Sequence, residues 1–257
     1  MSTPPLFLAA ATDLASDVIV LSGAEGRHAA TVRRLAVGER VDVADGAGTV
    51  AECVVTGTGG GGGASRGGGT QRGRLELAVR ARRTVPRPEP AITVIQAIPK
   101  GERGPLAVEL MTEVGVDAVT AWAAERCVVR WPGERGERGL ARWRATAREA
   151  AKQSRRARLP EVTGPATIGD VTRMASAASL AVLLDSAAPE ALGRLALPSS
   201  GVIVVVVGPE GGVSPAEAQA LASCGTVSAH LGPTVLRASS AGAVAAAVLL
   251  SHSARWG

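Results

Sequence analysis

Tyrosine is absent from this 257-residue chain, phenylalanine occurs once, and aromatic residues amount to 2% of it. With the four tryptophans dispersed, an aromatic platform for stacked bases is excluded as the main binding mode. Any nucleic acid would be held through phosphates and arginines. Cysteine is scarce too. Cys53, Cys127 and Cys224 are odd in number and far apart, so they supply neither a disulfide framework nor a CxxC metal pair. They read as buried or incidental thiols, and no metal is expected. Long apolar runs are missing as well: none approaches the roughly 20 residues of a membrane span, and residues 1–17 carry no basic lead ahead of an apolar stretch. A cytosolic protein with no membrane partner is expected.

What remains is sufficient for a folded core. Hydrophobic residues make up 46% of the chain, and the length suits one large domain or two small ones. The net charge of +5 conceals a local excess, because residues 126–158 hold eleven basic side chains against Glu134, Glu137 and Glu149. The rest of the chain is net acidic. A charge run can be a solvated face, but an imbalance confined to one segment favours a polyanion site.

Residues 6–55 alternate short apolar runs with turn signals such as Asp45-Gly46, a β-rich pattern with one short helix near 24–35. Residues 57–73 are nearly all glycine and small polar residues, which predicts a disordered loop inserted between strands. Three prolines within residues 84–90 then read as a linker. Beyond it the pattern changes. Continuous apolar runs at 92–98, 180–185, 202–207 and 226–231 suit strands buried on both faces of a parallel sheet. Helical patterns at 105–114, 140–155, 215–223 and 239–255 alternate with them, which makes this part an α/β domain.

One strand end carries unusual chemistry. After the run at 202–207 the chain reads Gly208-Pro209-Glu210-Gly211-Gly212, then Ser214-Pro215-Ala216-Glu217, a helix start with its capping residue, proline and glutamate in place. Ligands of open α/β sheets bind at such carboxyl-terminal strand ends, and the glycines allow positive φ and close approach. A tight turn without a ligand is the plainer alternative. Neither GxGxxG nor GxxxxGK[ST] is present, so a nucleotide-phosphate cradle is disfavoured. The next strand ends on a second Gly-Pro turn at Gly232-Pro233, followed by a helix of small residues that should be buried.

These two turns, VVGPEGGVSPAE and LGPTVLR, closely resemble the paired signatures of the ribosomal RNA small subunit methyltransferase E family, within the knotted SPOUT methyltransferases. QAIPKGER from Gln96, ELMTEVGV from Glu109, AERCVV from Ala124 and AKQSRRARLPEV from Ala151 match in order, and RHAATVRRLAVGERV from Arg27 looks like the family's PUA-like portion. The resemblance implies a PUA-like RNA-binding β-barrel over 1–84 and a SPOUT domain over 85–257. The latter would form a trefoil knot, bind S-adenosylmethionine and make a homodimer. The implied activity is methylation of uridine N3 in 16S rRNA of the small ribosomal subunit.

Carried over by position, the cofactor residues would be Leu183, Leu184, Gly208, Pro209, Gly211, Gly212, Leu231, Gly232, Val235 and Leu236, with Glu210 and Arg237 catalytic. Their chemistry is apt: the cofactor offers many groups that main-chain N–H and C=O can satisfy. A carboxylate could take the N3 proton, and an arginine could stabilise charge on the uracil oxygens. RNA contacts would fall to Arg33, Arg34, Arg148, Lys152, Arg155, Arg156 and Arg158, with Arg144, Arg148 and Lys152 in one row of a helix. The chain departs from the family at Arg237-Ala238-Ser239-Ser240, where the pattern has an acidic residue in place of Ser239. A non-catalytic RNA-binding assembly factor, or a SPOUT enzyme with another RNA target, is the rival reading.

Overall fold

The computed structural model describes residues 3–58 and 73–256, so most of the expected glycine-rich loop at 57–73 lies outside the described residues. The chain divides into two compact units, Met1–Pro86 with Lys152–Arg158, and Arg87–Ala151 with Leu159–Gly257.

In the first unit β1 (Leu6–Leu8), α1 (Ala11–Leu14), β2 (Val18–Leu21), α2 (Gly23–Arg27), β3 (Arg40–Ala44), β4 (Thr49–Thr58) and β5 (Leu75–Thr84) follow in order. The strands form one sheet, β1-β3-β4-β5-β2, antiparallel except where β1 meets β3. Period-two patterning sets its faces: in β2 Ile19 and Leu21 are buried while Val18 and Val20 face out. Phe7, Leu14, Val41, Val43, Val55 and Leu77 complete the core. The expected helix near 24–35 is present as α2 running into a π-helical turn, His28–Val32. Residues 152–158 join this unit through side chains. Lys152 Nζ lies 3.0 Å from Glu25 Oε1 with both side chains largely buried, and Arg158 Nε donates to the carbonyls of Val85 and Pro86 at 2.9 and 3.1 Å.

The second unit contains β6 (Ala91–Ala97), α3 (Arg103–Val114), β7 (Ala118–Trp122), α4 (Gly133–Gln153, whose last two residues fall in the first unit), β8 (Glu161–Ala166) and α5 (Ile168–Ser176). It continues with β9 (Leu180–Leu184), a 3₁₀ turn at Leu192–Arg194, β10 (Val202–Val207), α6 (Pro215–Ser223), β11 (Val227–Ala229) and α7 (Ala238–Ser251). Its six strands are all parallel in the order β11-β9-β10-β6-β7-β8. The chain builds outward from β6 to β8, returns to the far side for β9, and then inserts β10 between β9 and β6. That insertion sets the carboxyl ends of β9, β10 and β11 side by side.

Two departures from the sequence reading have packing causes. Helix α4 starts at Gly133 rather than near 140. Its glycines weigh against a helix on propensity, yet a Cβ on Gly139 would stand 2.7 Å from the Trp131 indole. Trp131 in turn meets Trp143 edge-on at 5.1 Å. Helix α7 ends at Ser251, four residues short of the expectation, and Arg255 turns back. Its guanidinium donates to Asp117 Oδ2 at 2.6 Å and to the carbonyls of Pro90 and Gly115, while the same Asp117 oxygen accepts from Ile92 N. The small residues of α7 are buried as expected, and a Cβ on Gly242 would meet Met111 Sδ of α3 at 2.9 Å.

Burial pushes the Cys53 thiol up to about 11 and raises that of Cys127, so neither offers a thiolate near neutrality. Among the described residues no helix is long and apolar enough to cross a membrane.

Helix α5 begins with a capping box: Asp170 N donates to Thr167 Oγ1, and Thr167 N donates back to Asp170 Oδ2 at 2.9 Å. That main-chain bond, with the Thr167 hydroxyl and Arg173, holds the Asp170 carboxyl at about 2, below its ordinary 3.8. A depressed folded-state value contributes stability above the ordinary one and loses it as pH falls. Urea unfolding midpoints should therefore show an Asp170-dependent decline as pH drops from about 3.8 towards about 2, and D170N should abolish that component.

Candidate active site

The turn after β10 is held by contacts that its residue types make possible. Gly208 packs where a Cβ would sit 2.8 Å from Val213 Cγ2, and Gly212 N donates to Pro209 O at 2.8 Å. Of the three glycines only Gly212 takes a left-handed conformation, at φ +73°. Gly211 faces Arg126, whose Nη1 donates to the Gly211 carbonyl at 3.2 Å.

Helix α6 then starts with the expected capping box. Glu217 N donates to Ser214 Oγ and Ser214 N donates to Glu217 Oε2, at 3.3 and 3.1 Å. The Glu217 side chain is buried, and its second oxygen accepts from Glu125 N at 2.7 Å. One carboxylate thus joins the loop after β7 to the turn after β10, at a helix N-terminus where the peptide dipoles favour a negative charge. Arg130 adds a bond from Nη1 to Ala124 O within the same loop.

Between the ends of β9, β10 and β11 lies a cavity of about 530 Å³. Leu183, Leu184, Gly208, Pro209, Gly212, Leu231, Gly232, Val235 and Leu236 line it, while Gly211, turned towards Arg126, does not. Glu210 and Arg237 line it also. Sequence reasoning had singled out neither His230 nor Arg103 for this wall, although Arg103 closes the QAIPKGER motif. Arg103, the first residue of α3, places Nη1 3.1 Å from Glu210 Oε1. Arg237 caps α7 with its carbonyl, which accepts from Ala241 N at 3.0 Å. Its guanidinium is exposed and has no partner among the described residues. Ser239 is buried in the first turn of α7.

The cavity wall suits a ligand rich in neutral polar groups. Among the described residues the N–H groups of Gly208, Gly232 and Leu236 have no acceptor in the chain. Gly232 has φ +155°, and a Cβ there would meet no atom within 4 Å. The residues present fit S-adenosylmethionine: main-chain donors for its polar groups, Leu183, Val207 and Leu236 for its apolar surface, and a carboxylate and a guanidinium at the rim.

Comparison with known proteins fits this arrangement. An RNA methyltransferase domain profile matches residues 87–250, and an RNA methyltransferase PUA domain profile matches residues 21–62. The chain belongs to the RNA methyltransferase family. It is 45% identical over 243 residues to the ribosomal RNA small subunit methyltransferase E of Mycobacterium tuberculosis (strain CDC 1551 / Oshkosh), covering 93% of this chain and 88% of that one. The crystal structure of ribosomal RNA small subunit methyltransferase E from Neisseria gonorrhoeae bound to S-adenosyl methionine superposes with a TM-score of 0.78 at 26% identity, over 97% of this chain and 98% of that one. A Legionella pneumophila protein solved with the cofactor SAM shares the fold, with a TM-score of 0.82 at 24% identity over 98% of this chain and 99% of that one.

The basic residues that a family member could turn to RNA divide into two groups. Arg33, Arg34 and Arg155 are exposed, the last two with left-handed backbone. Arg148 is exposed on α4, and Arg156 is half-buried; both are engaged within the chain. Lys152 pairs with Glu25, both side chains being largely buried, and Arg158 donates from Nε to the Val85 and Pro86 carbonyls. Arg144 Nε donates to Val162 O at 3.0 Å, and Arg142 pairs with Glu102.

Removing the Glu217 carboxylate leaves the N–H of buried Ser214 and the N–H of Glu125 without acceptors. Glu217→Ala should lower the unfolding free energy by about 2–3 kcal/mol in urea titrations, and Glu217→Gln, which keeps an acceptor, should lose less.

Proposed function

We propose that this chain is an S-adenosylmethionine-dependent methyltransferase that modifies N3 of a uridine in 16S rRNA of the small ribosomal subunit. Residues 1–84 grip RNA and residues 85–257 carry the chemistry. The protein works in the cytoplasm as a homodimer joined through the second domain, whose backbone is knotted. The observation that carries the reading is the cavity at three adjacent strand ends, with main-chain donors on its walls and an arginine and a glutamate at its rim. The relatives named above add support.

Leu183, Leu184, Gly208, Pro209, Gly212, Leu231, Gly232, Val235 and Leu236 would hold the cofactor. When bound, it supplies a methyl group on a sulfonium, and that methyl passes to uracil N3 while the S–CH₃ bonding pair stays on sulfur. The protein's part is positioning: alignment of N3 with the methyl carbon can account for roughly 7–11 kcal/mol of barrier lowering. Glu210 takes the proton that leaves N3. Arg237 faces the oxygen on which negative charge gathers. Arg33, Arg34 and Arg155 hold phosphates, and an affinity that falls steeply with salt is expected.

Calorimetry on the purified chain should detect binding of S-adenosylmethionine. Small subunits lacking the modification should then gain one N3-methyluridine, located by mass spectrometry of 16S rRNA digests. Gly232→Val, which fills the cavity mouth, should weaken cofactor binding by at least about tenfold while the protein stays folded. No binding by the wild-type protein, with and without small subunits, would overturn the reading in favour of a non-catalytic assembly factor.

A further inference from the structure

We propose that Arg103 is a second catalytic arginine. Together with Glu210 and Arg237 it forms a donor–acceptor–donor edge that selects uracil over cytosine; the proposal rests on the methyltransferase reading above. Uracil N3 lies between two carbonyls, so its reactive edge reads acceptor, donor, acceptor. Loss of the N3 proton spreads negative charge over both oxygens, and one arginine covers only one of them.

The cavity supplies what is missing. Three side chains that line it come from separate elements: Arg103 from the start of α3, Glu210 from the turn after β10, and Arg237 from the cap of α7. Arg103 Nη1 and Glu210 Oε1 are 3.1 Å apart, so a guanidinium donor and a carboxylate acceptor already stand side by side on the cavity wall. The pair has little value as a brace. Its side chains are 46% and 33% exposed, and ion pairs of that kind contribute about 0–1 kcal/mol. Arg126, the other nearby arginine, is committed to the Gly211 carbonyl.

Cytosine would present an acceptor at N3 to Glu210 and an amino group to an arginine. Both contacts would set like against like, and rejection by mismatched polar groups is stronger than rejection by size. In the reaction the N3–H bond breaks and the proton passes to Glu210; the two guanidiniums share the charge on the oxygens until the N3 lone pair takes the methyl group, whose former bonding pair would stay on the donor sulfur.

The test uses the full-length chain and small ribosomal subunits under single turnover. Arg103→Gln should slow methyl transfer by about 10²-fold, the usual effect of losing one donor to a developing oxyanion. Cofactor affinity by calorimetry should stay within about twofold. Because the base anion is then less stabilised, the rate should also climb more steeply with pH than in the wild type. His230 and Asp185, the other titratable groups lining the cavity, are common to both proteins. Arg103→Lys should recover part of the rate. An unchanged rate would overturn the proposal. So would a slower rate with an unaltered pH profile and an equal loss of cofactor affinity, which marks a purely structural residue. A wild-type protein that binds no cofactor or leaves N3 unmodified removes the underlying reading and this one with it.

Discussion

The buried carboxylate of Glu217 is the constraint on which the candidate site depends. It lies at the N-terminus of α6 with one oxygen on Ser214 N and the other on Glu125 N. A buried carboxylate is tolerable only when its hydrogen bonds are made, and here backbone N–H groups supply them on both oxygens. The result is a rigid joint between the ends of β7 and β10. The side chains around the joint continue the same work: Arg126 holds Gly211, and Arg130 holds its own loop. These contacts hold the glycine turn from which Glu210 projects.

Much of this was legible because it rests on local rules. Ser214, Pro215 and Glu217 announce a helix start, and the structure begins α6 at Pro215. Continuous apolar runs announced β6, β9 and β10, because strands covered on both faces have no polar side. Other elements were silent. β7 is only five residues long, and β8, an edge strand, contains Gly164-Pro165. The capping residues Thr167 and Asp170 of α5 could have been read, but a nine-residue helix with a glycine in its first turn gives a weak period. The start of α4 could not have been read, since its glycines serve an indole that arrives from outside the helix. For the site, strand-end position combined with family resemblance was sufficient for the residues of the turns. Arg103 escaped because its partner is more than a hundred residues away in sequence.

The arginines teach a related lesson about charge. Counting put a strong positive excess in residues 126–158, and helical spacing aligned three of its members. Folding spends that excess unevenly. Lys152 neutralises a largely buried glutamate, Arg158 and Arg144 satisfy carbonyls, and Arg142 meets Glu102. A composition reports how many cations exist. Only the tertiary structure reports how many remain available to a polyanion, and here the exposed ones are fewer than the run suggests.

The cavity lies at the ends of three strands, and among the described residues the N–H groups of Gly208, Gly232 and Leu236 on its wall are unpaired. Such groups survive every substitution except one to proline. An inhibitor built to engage them would leave few routes to resistance: escape would require bulk inserted at positions such as Gly232, where the same bulk also excludes the natural ligand.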